Sequence, residues 1–324
     1  MPLWDQLAGL EVRVDGYALN RRELAREGWT RVTTSVVLDG DGASGEGEDV
    51  TYVAAEHDEF PADLMFAGTW SLDDLSRRFD DFELSDYRRW AFESAALDLA
   101  LRQADRSLGD VVGRPYRPVR FVASTRTDVV PWLENDPTLE FKLDATSEWD
   151  AELMRRLAAL DRVRVVDLKA YYRGTVVDLE PDPGLYRAIA DAFPDVVIED
   201  AWLEDGCLEA LRGAEGRLSF DAPIHSLDDF DALPIEARWL NVKPSRFGTV
   251  RKLVECIEAC DERGVGMYGG GQFELGHGRE QIQRLASLFY ASGPNDVAPS
   301  AYNEGGPRPD LPRSPLPPPD GVGF

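Results

Sequence analysis

The chain has 324 residues, 43% of them hydrophobic, and a formal net charge of −25 at pH 7. That length suits one large domain and one small one, with enough apolar material for a core and no case for global disorder. The acidic balance speaks against nucleic acid and anionic membrane as partners, and no run of about 18 apolar residues offers a membrane span.

The N-terminus MPLWDQLAGLEVRVDG lacks the basic-then-apolar pattern of a signal peptide. Cys207, Cys256 and Cys260 show no framework spacing, so a reducing, cytoplasmic location is expected. Cys256 and Cys260 read as two buried thiols on one helix face rather than as a metal pair.

In chain order, residues 11–20, 30–40 and 49–57 read as strands, with the acidic, glycine-rich LDGDGASGEGED as the turn between the last two. A helix follows near residues 84–105, with Trp90, Leu97, Leu101 and Ala104 on one face. From residue 119 the rhythm changes. Short apolar strands recur at VRFVAS, LEFKLDA, RVRVVDLKA, VVIEDAW, RLSFDAP, WLNVKPS and GVGMYGGG, with a weaker NDVAP at 295–299. Helical patterns fill the gaps. SEWDAELMRRLAAL carries Ser147 as the expected N-cap and Leu153, Leu157 and Leu160 inward. FGTVRKLVECIEACDERG turns Val250, Leu253, Val254 and Ile257 inward and stops at Gly264. REQIQRLASLFY is the third such pattern. Strands alternating with helices predict a parallel α/β fold, and the placement of charge favours a TIM-type (β/α) barrel over a doubly wound sheet. The Pro-rich tail GGPRPDLPRSPLPPPDGVGF reads as extended, disordered or folded back on the body.

Charged residues end almost every strand of the second region. Lys142 and Asp144 end one, Asp167 and Lys169 the next, then Glu199 and Asp200, Asp221, Lys243, and Gly269 to Gln272. In a barrel these ends meet at one mouth, the face that carries active sites. Of the 35 basic residues only Lys142, Lys169, Lys243 and Lys252 are lysines, and all but Lys252 lie there. Arginine holds its proton, whereas a lysine can be tuned into a base. Asp167, Glu199 and Asp221 form an all-oxygen set suited to a hard cation, Mg²⁺ before Zn²⁺ because no His or Cys joins them. A nearby cation and a second lysine are expected to lower the pKa of the lysine that acts as base. Gly271 and Gln272 in MYGGGQFELGHGR are expected to let a substrate approach the backbone and to hydrogen-bond it, with Glu274 a poorer contact. A tight turn before a helix is the plain alternative there. His225 and His277 are assigned structural or solvent roles, and Tyr171, Tyr172 and Arg173 packing or pocket-lining ones.

Taken in order, LDGDGASGEGE, WAFESAALDLALRQADRSLGDVVG, VVDLKA, VIEDAW, LSFDAP and WLNVKPSRFG resemble the motifs of the enolase superfamily, in its muconate-cycloisomerase-like and mandelate-racemase-like branches. The resemblance covers residues 11 to about 300. It implies a capping domain at 1–115, a barrel at 116–304 and a tail at 305–324. It implies Mg²⁺ on Asp167, Glu199 and Asp221, with Lys243 as a base, and removal of the proton α to a substrate carboxylate through a metal-stabilised enediolate. The reaction would be an isomerisation, of cycloisomerase or racemase type, or a dehydratase-type elimination. His57, at a capping-domain strand end, becomes a candidate substrate contact. Assembly as a homo-oligomer is compatible with this reading.

The chain departs from the family at three positions. The strand-two Lys-x-Lys becomes Lys142-Leu143-Asp144, the Asn after the strand-three Asp becomes Lys169, and the Glu after the strand-five Asp becomes Ala222. Lys142, Lys169 and Asp144 are therefore all candidates for the group opposite Lys243. A Schiff-base lyase on a barrel lysine and a non-catalytic ligand-binding barrel are the competing readings.

Overall fold

After a short helix at Leu3–Leu7 come strands β1 (Glu11–Val14), β2 (Gly16–Arg26), β3 (Trp29–Gly40), β4 (Ala43–Asp49) and β5 (Gly68–Ser71). The computed structural model describes residues 1–324 apart from Glu27, Ala62, Thr127 and Val176. β2, β3 and β4 form an antiparallel meander, and β1 pairs with β5. The helix Asp86–Gln103 lies across the meander, capped by Ser85, whose side chain accepts from the Arg88 amide.

The expected turn over residues 38–49 is mostly strand β4, and only Asp41 and Gly42, both at positive φ, make the bend. Glycine is poor in strands, which is why the segment reads as a loop. Its use here is close approach. A Cβ on Gly45 would stand 2.2 Å from the Leu99 amide nitrogen, and one on Gly47 would stand 2.1 Å from the Ala91 carbonyl oxygen. Both positions face the helix, so backbone rests on backbone. Gly47→Ala is expected to lower stability by about 1–3 kcal/mol, the usual range for overpacking. Urea unfolding checks this, and an unchanged midpoint would show that the helix can move aside. The strand expected at 49–57 is largely a coil ending in the 3-10 turn Ala54–His57.

The second region supplies β6 (Ala123–Thr125), β7 (Phe141–Asp144), β8 (Val163–Asp167), β9 (Val197–Glu199), β10 (Leu218–Phe220), β11 (Trp239–Val242) and β12 (Gly266–Gly269). These strands form one parallel sheet in sequential order. The eighth strand expected at 295–299 is reduced to two single-residue bridges. Asn295 pairs with Phe121 beside β6, and Asp296 pairs with Gly270 beside β12. These bridges link the first and last strands, so the sheet closes as a TIM-type barrel behind the capping domain. The buried Asn295 side chain takes over part of the pairing, accepting from the Gly269 amide (2.7 Å) and donating to the Arg120 carbonyl (2.8 Å).

Amphipathic helices cover the outside of the barrel. Ala151–Ala159 is capped by Asp150, whose carboxylate accepts from the Leu153 amide, rather than by the expected Ser147. It buries Met154 and Leu157, while Leu160 is 36% exposed. Val250–Arg263 buries Val250, Leu253, Val254, Cys256, Ile257 and Cys260 and ends at Gly264 in the left-handed region. Both cysteines are therefore core thiols. Gly278–Phe289 forms the last helix. The tail folds back on the body: Leu316 bridges Val119, and Phe324 is buried edge-on to Trp90. No helix among the described residues is long and apolar enough to cross a membrane.

Candidate active site and metal centre

The barrel register decides which side chains meet. Asp144 on β7 lies opposite Asp167 on β8, and Asp167 lies opposite Glu199 on β9. Lys142, two residues before Asp144, points the same way by strand alternation. Asp167, Glu199, Asp200, Asp221, Lys142 and Lys243 are all buried.

Oxygens of Asp167, Glu199 and Asp200 lie within 4.8 Å of one another. Asp200 belongs to the expected strand end but not to the expected metal set; strand alternation alone would turn the neighbour of an inward Glu199 away from the mouth. Its φ of 52° breaks that alternation. Its carboxylate also accepts from the Asp221 amide at 2.9 Å. Asp221, the expected third ligand, stands beside this group. It pairs with Lys243, lies 3.5 Å from Arg246, and accepts from Asn241 Nδ2 at 3.1 Å and from the Tyr172 hydroxyl at 3.3 Å.

The lysines occupy distinct places. Lys142 pairs with Glu199 and lies 3.0 Å from Asp167. Lys169 Nζ is 2.5 Å from Asp167 and 3.2 Å from Asp144. Asp144 therefore pairs with Lys169. Strands β9 and β10 separate Lys169 from Lys243. Gly270 permits the approach of Lys243, since a Cβ there would stand 2.9 Å from Lys243 Cε.

Burial pulls Lys142 down, but Glu199 and Asp167 outweigh it and hold the ammonium well above its usual pKa. Lys169, beside Asp167 and Asp144, and Lys243, beside Asp221, are raised in the same way against burial. Carboxylates thus surround each lysine and favour its charged form; the lowering expected for the base belongs to the site with its cation bound. Among the acids, burial pushes up Asp221 and Asp167, yet Lys243 and Arg246 bring the first well below the carboxylate range and Lys169 and Lys142 bring the second below it. Glu199 and Asp200 go the other way. Burial raises both well above the ordinary range, and neighbouring Asp167 and Asp221 add to it. This surplus of buried carboxylate, together with a buried Asn241 Oδ1 that has no hydrogen-bond partner, suits a hard divalent cation.

Sequence reasoning missed Asn241 and Tyr268. Asn241 Nδ2 bridges Glu199 and Asp221, both at 3.1 Å, and the buried Tyr268 hydroxyl donates to Glu199. The alternation WLNVK, with Asn241 two before Lys243, was the available signal for the first. Nothing short of the fold brings Tyr268 to Glu199. Gln272 is buried with its amide 3.2 Å from the Tyr87 hydroxyl. Oriented to satisfy both amide atoms, it accepts from Arg246 Nε at 3.1 Å and donates to the Tyr52 hydroxyl at 3.3 Å. Gly271 packs against Glu274, whose Oε2 would lie 2.5 Å from an added Cβ, and Glu274 pairs with Arg279 at 2.9 Å. His57 sits in a 3-10 turn rather than at a strand end. Its ring nitrogens meet Thr34 Oγ1 and the Thr51 carbonyl, both at 2.9 Å, so both are engaged inside the capping domain.

Comparison with known proteins gives matches along most of the chain. Residues 5–111 match the N-terminal domain, and residues 115–304 the C-terminal domain, of the domain of unknown function DUF8230. The chain is similar to an o-succinylbenzoate synthase of Geobacillus stearothermophilus, 25% identical over 294 residues, covering 82% of this chain and 76% of the relative. It is also similar to an N-succinylamino acid racemase of Amycolatopsis sp., 27% identical over 289 residues, covering 85% and 76%. A muconate cycloisomerase from Pseudomonas fluorescens superposes with a TM-score of 0.68 at 15% identity, covering 89% of this chain and 87% of the other. An unknown member of the enolase superfamily from Enterococcus faecalis V583 gives 0.67 at 21% identity, covering 89% and 86%. The structural likenesses establish the fold.

Proposed function

The chain belongs to the DUF8230 family, within the enolase superfamily, and from that premise we propose that it is a Mg²⁺-dependent isomerase or lyase that removes the proton α to a substrate carboxylate. The observation that carries this reading is the convergence of four buried carboxylates, from β8, β9 and the turns after β9 and β10, between lysines on either side. Asp167 and Glu199, with Asp221 or Asp200, would hold the ion. Bound there, Mg²⁺ would act as a Lewis acid on the substrate carboxylate and lower the cost of the negative charge that builds on it.

The chain's own residues do the rest. Lys243 takes the α-proton from one side of the pocket. Asn241 and Tyr268 fix Glu199 by hydrogen bonds. On the other side, Lys169 provides an ammonium from just past β8 where the family resemblance puts one on β7, and Asp144 pairs with it. That pairing keeps Lys169 charged and leaves Lys243 as the one base. One-sided chemistry, cycloisomerisation or elimination, follows in preference to racemisation. A Schiff-base mechanism would give no role to the converging carboxylates, which the metal-assisted reading uses.

The names of the curated relatives share a succinyl group, so N-succinylamino acids form the first substrate panel. In D₂O with Mg²⁺, deuterium is expected at the α-carbon of one enantiomer only, read by NMR. Equal exchange into both enantiomers would refute the one-base reading. No exchange into any member, with Mg²⁺ bound, would remove the N-succinylamino acids as its substrates.

A further inference from the structure

Arg31 lies on β3 of the capping domain and is 1% exposed. No carboxylate lies within ion-pair distance of its guanidinium among the described residues. The group donates to four backbone carbonyls instead. Two belong to the capping domain, Thr51 at 2.7 Å and Val50 at 2.6 Å. Two belong to the loop after β12, Gln272 at 2.8 Å and Phe273 at 3.1 Å. The planar fork can serve carbonyls in several directions at once, which a lysine ammonium on a flexible stem does less well.

Side chains carried by these two segments meet each other. Tyr52 follows Thr51, its ring 4.3 Å from the Arg31 guanidinium carbon, and its hydroxyl is 3.3 Å from the Gln272 amide in the satisfied orientation. Phe273 itself sits at a φ of 59°, a region that non-glycine residues avoid. Such a conformation persists only where the surroundings fix it. Arg31 holds the carbonyls on both sides of that turn. A second side chain from the same domain holds the amides: buried Glu48 on β4 accepts from Leu275 at 2.7 Å, Gly276 at 3.0 Å and Gly278 at 3.1 Å. The loop 272–278 thus has its carbonyls and its amides bound to the capping sheet.

We infer that Arg31 is a positioning residue that staples the capping-domain segment 50–52 to the barrel loop 272–273, so that Tyr52 and Gln272 form one preassembled wall of the substrate pocket. The catalytic consequence rests on the proposed function, whereas the staple itself is testable without a substrate.

Hydrogen exchange on the Mg²⁺-loaded protein decides it. In the wild type, the amides of Gln272, Leu275, Gly276 and Gly278 are expected to be protected like those of the barrel strands. Exchange as fast as in exposed loops would overturn the inference before any variant is made. In Arg31→Met and Arg31→Lys, exchange at these amides is expected to rise at least about 10-fold, with β7 to β11 amides and Mg²⁺ affinity unchanged. Unchanged loop exchange in both variants would overturn it, and so would a uniform rise across the barrel, which marks general destabilisation. With an N-succinylamino acid that is turned over, both variants should raise KM about 10-fold or more and leave kcat within about twofold. If no such substrate is turned over, the N-succinylamino acids fall as substrates and the exchange result still stands.

Discussion

Lys243→Ala is expected to abolish α-proton exchange in D₂O while Mg²⁺ binding persists. A positioned base contributes roughly 10²–10⁴-fold, so a loss of that size is the expected scale. The assignment rests on position. Lys243 is buried, directly follows β11, and reaches the carboxylate cluster through Asp221, with two strands between it and the ammonium flank of Lys169. As the side chains stand, Asp221 holds Lys243 above its usual pKa. A cation shared by the carboxylates would weaken that hold, which is the direction a base requires. Lys142→Ala should slow turnover more than exchange, because Lys142 contacts Glu199 and Asp167, two of the proposed metal ligands, rather than Lys243. Full exchange in Lys243→Ala would move the base to Lys142 or Lys169.

Mg²⁺ binding to the wild type and its loss in Glu199→Gln is the second large effect. Loss of a partner behind a metal ligand already costs about 10–100-fold in affinity, so removing the ligand's charge should cost at least about 100-fold by calorimetry. Glu199 and Asp200 carry pKa values raised by burial and by neighbouring carboxylates. Each must lose its proton before it can coordinate a metal. Affinity should therefore rise with pH, and fall on acidification sooner than ordinary carboxylates would dictate. Asp221→Ala and Asp200→Ala separate the two choices of third ligand: the one whose loss abolishes binding is the ligand. At about 100 times its Kd, Mg²⁺ should add about 2.7 kcal/mol to wild-type stability and little to Glu199→Gln. Equal stabilisation of both would exclude Glu199 from the site.

Strand-end chemistry was legible in the sequence because a parallel barrel turns chain order into spatial order. Once the alternation of strands and helices is read, Lys142, Asp167, Glu199, Asp221 and Lys243 must share one mouth. The scarcity of lysine pointed to the same residues. The glycine-rich segment 38–49 was misread because propensity describes a lone strand, whereas Gly45 and Gly47 answer to the helix Asp86–Gln103, which packs on them through Leu99 and Ala91. The eighth strand looked weak and is weak, since the Asn295 side chain replaces part of its ladder. Asp200 depended on a left-handed residue, and Tyr268 and Arg31 on contacts between segments that no local pattern links. Local patterning and charge thus determined the barrel, the capping sheet and the acidic and basic groups of the mouth. Only the tertiary structure decided which ammonium meets which carboxylate, because those choices are set by register, burial and the packing of one domain on the other.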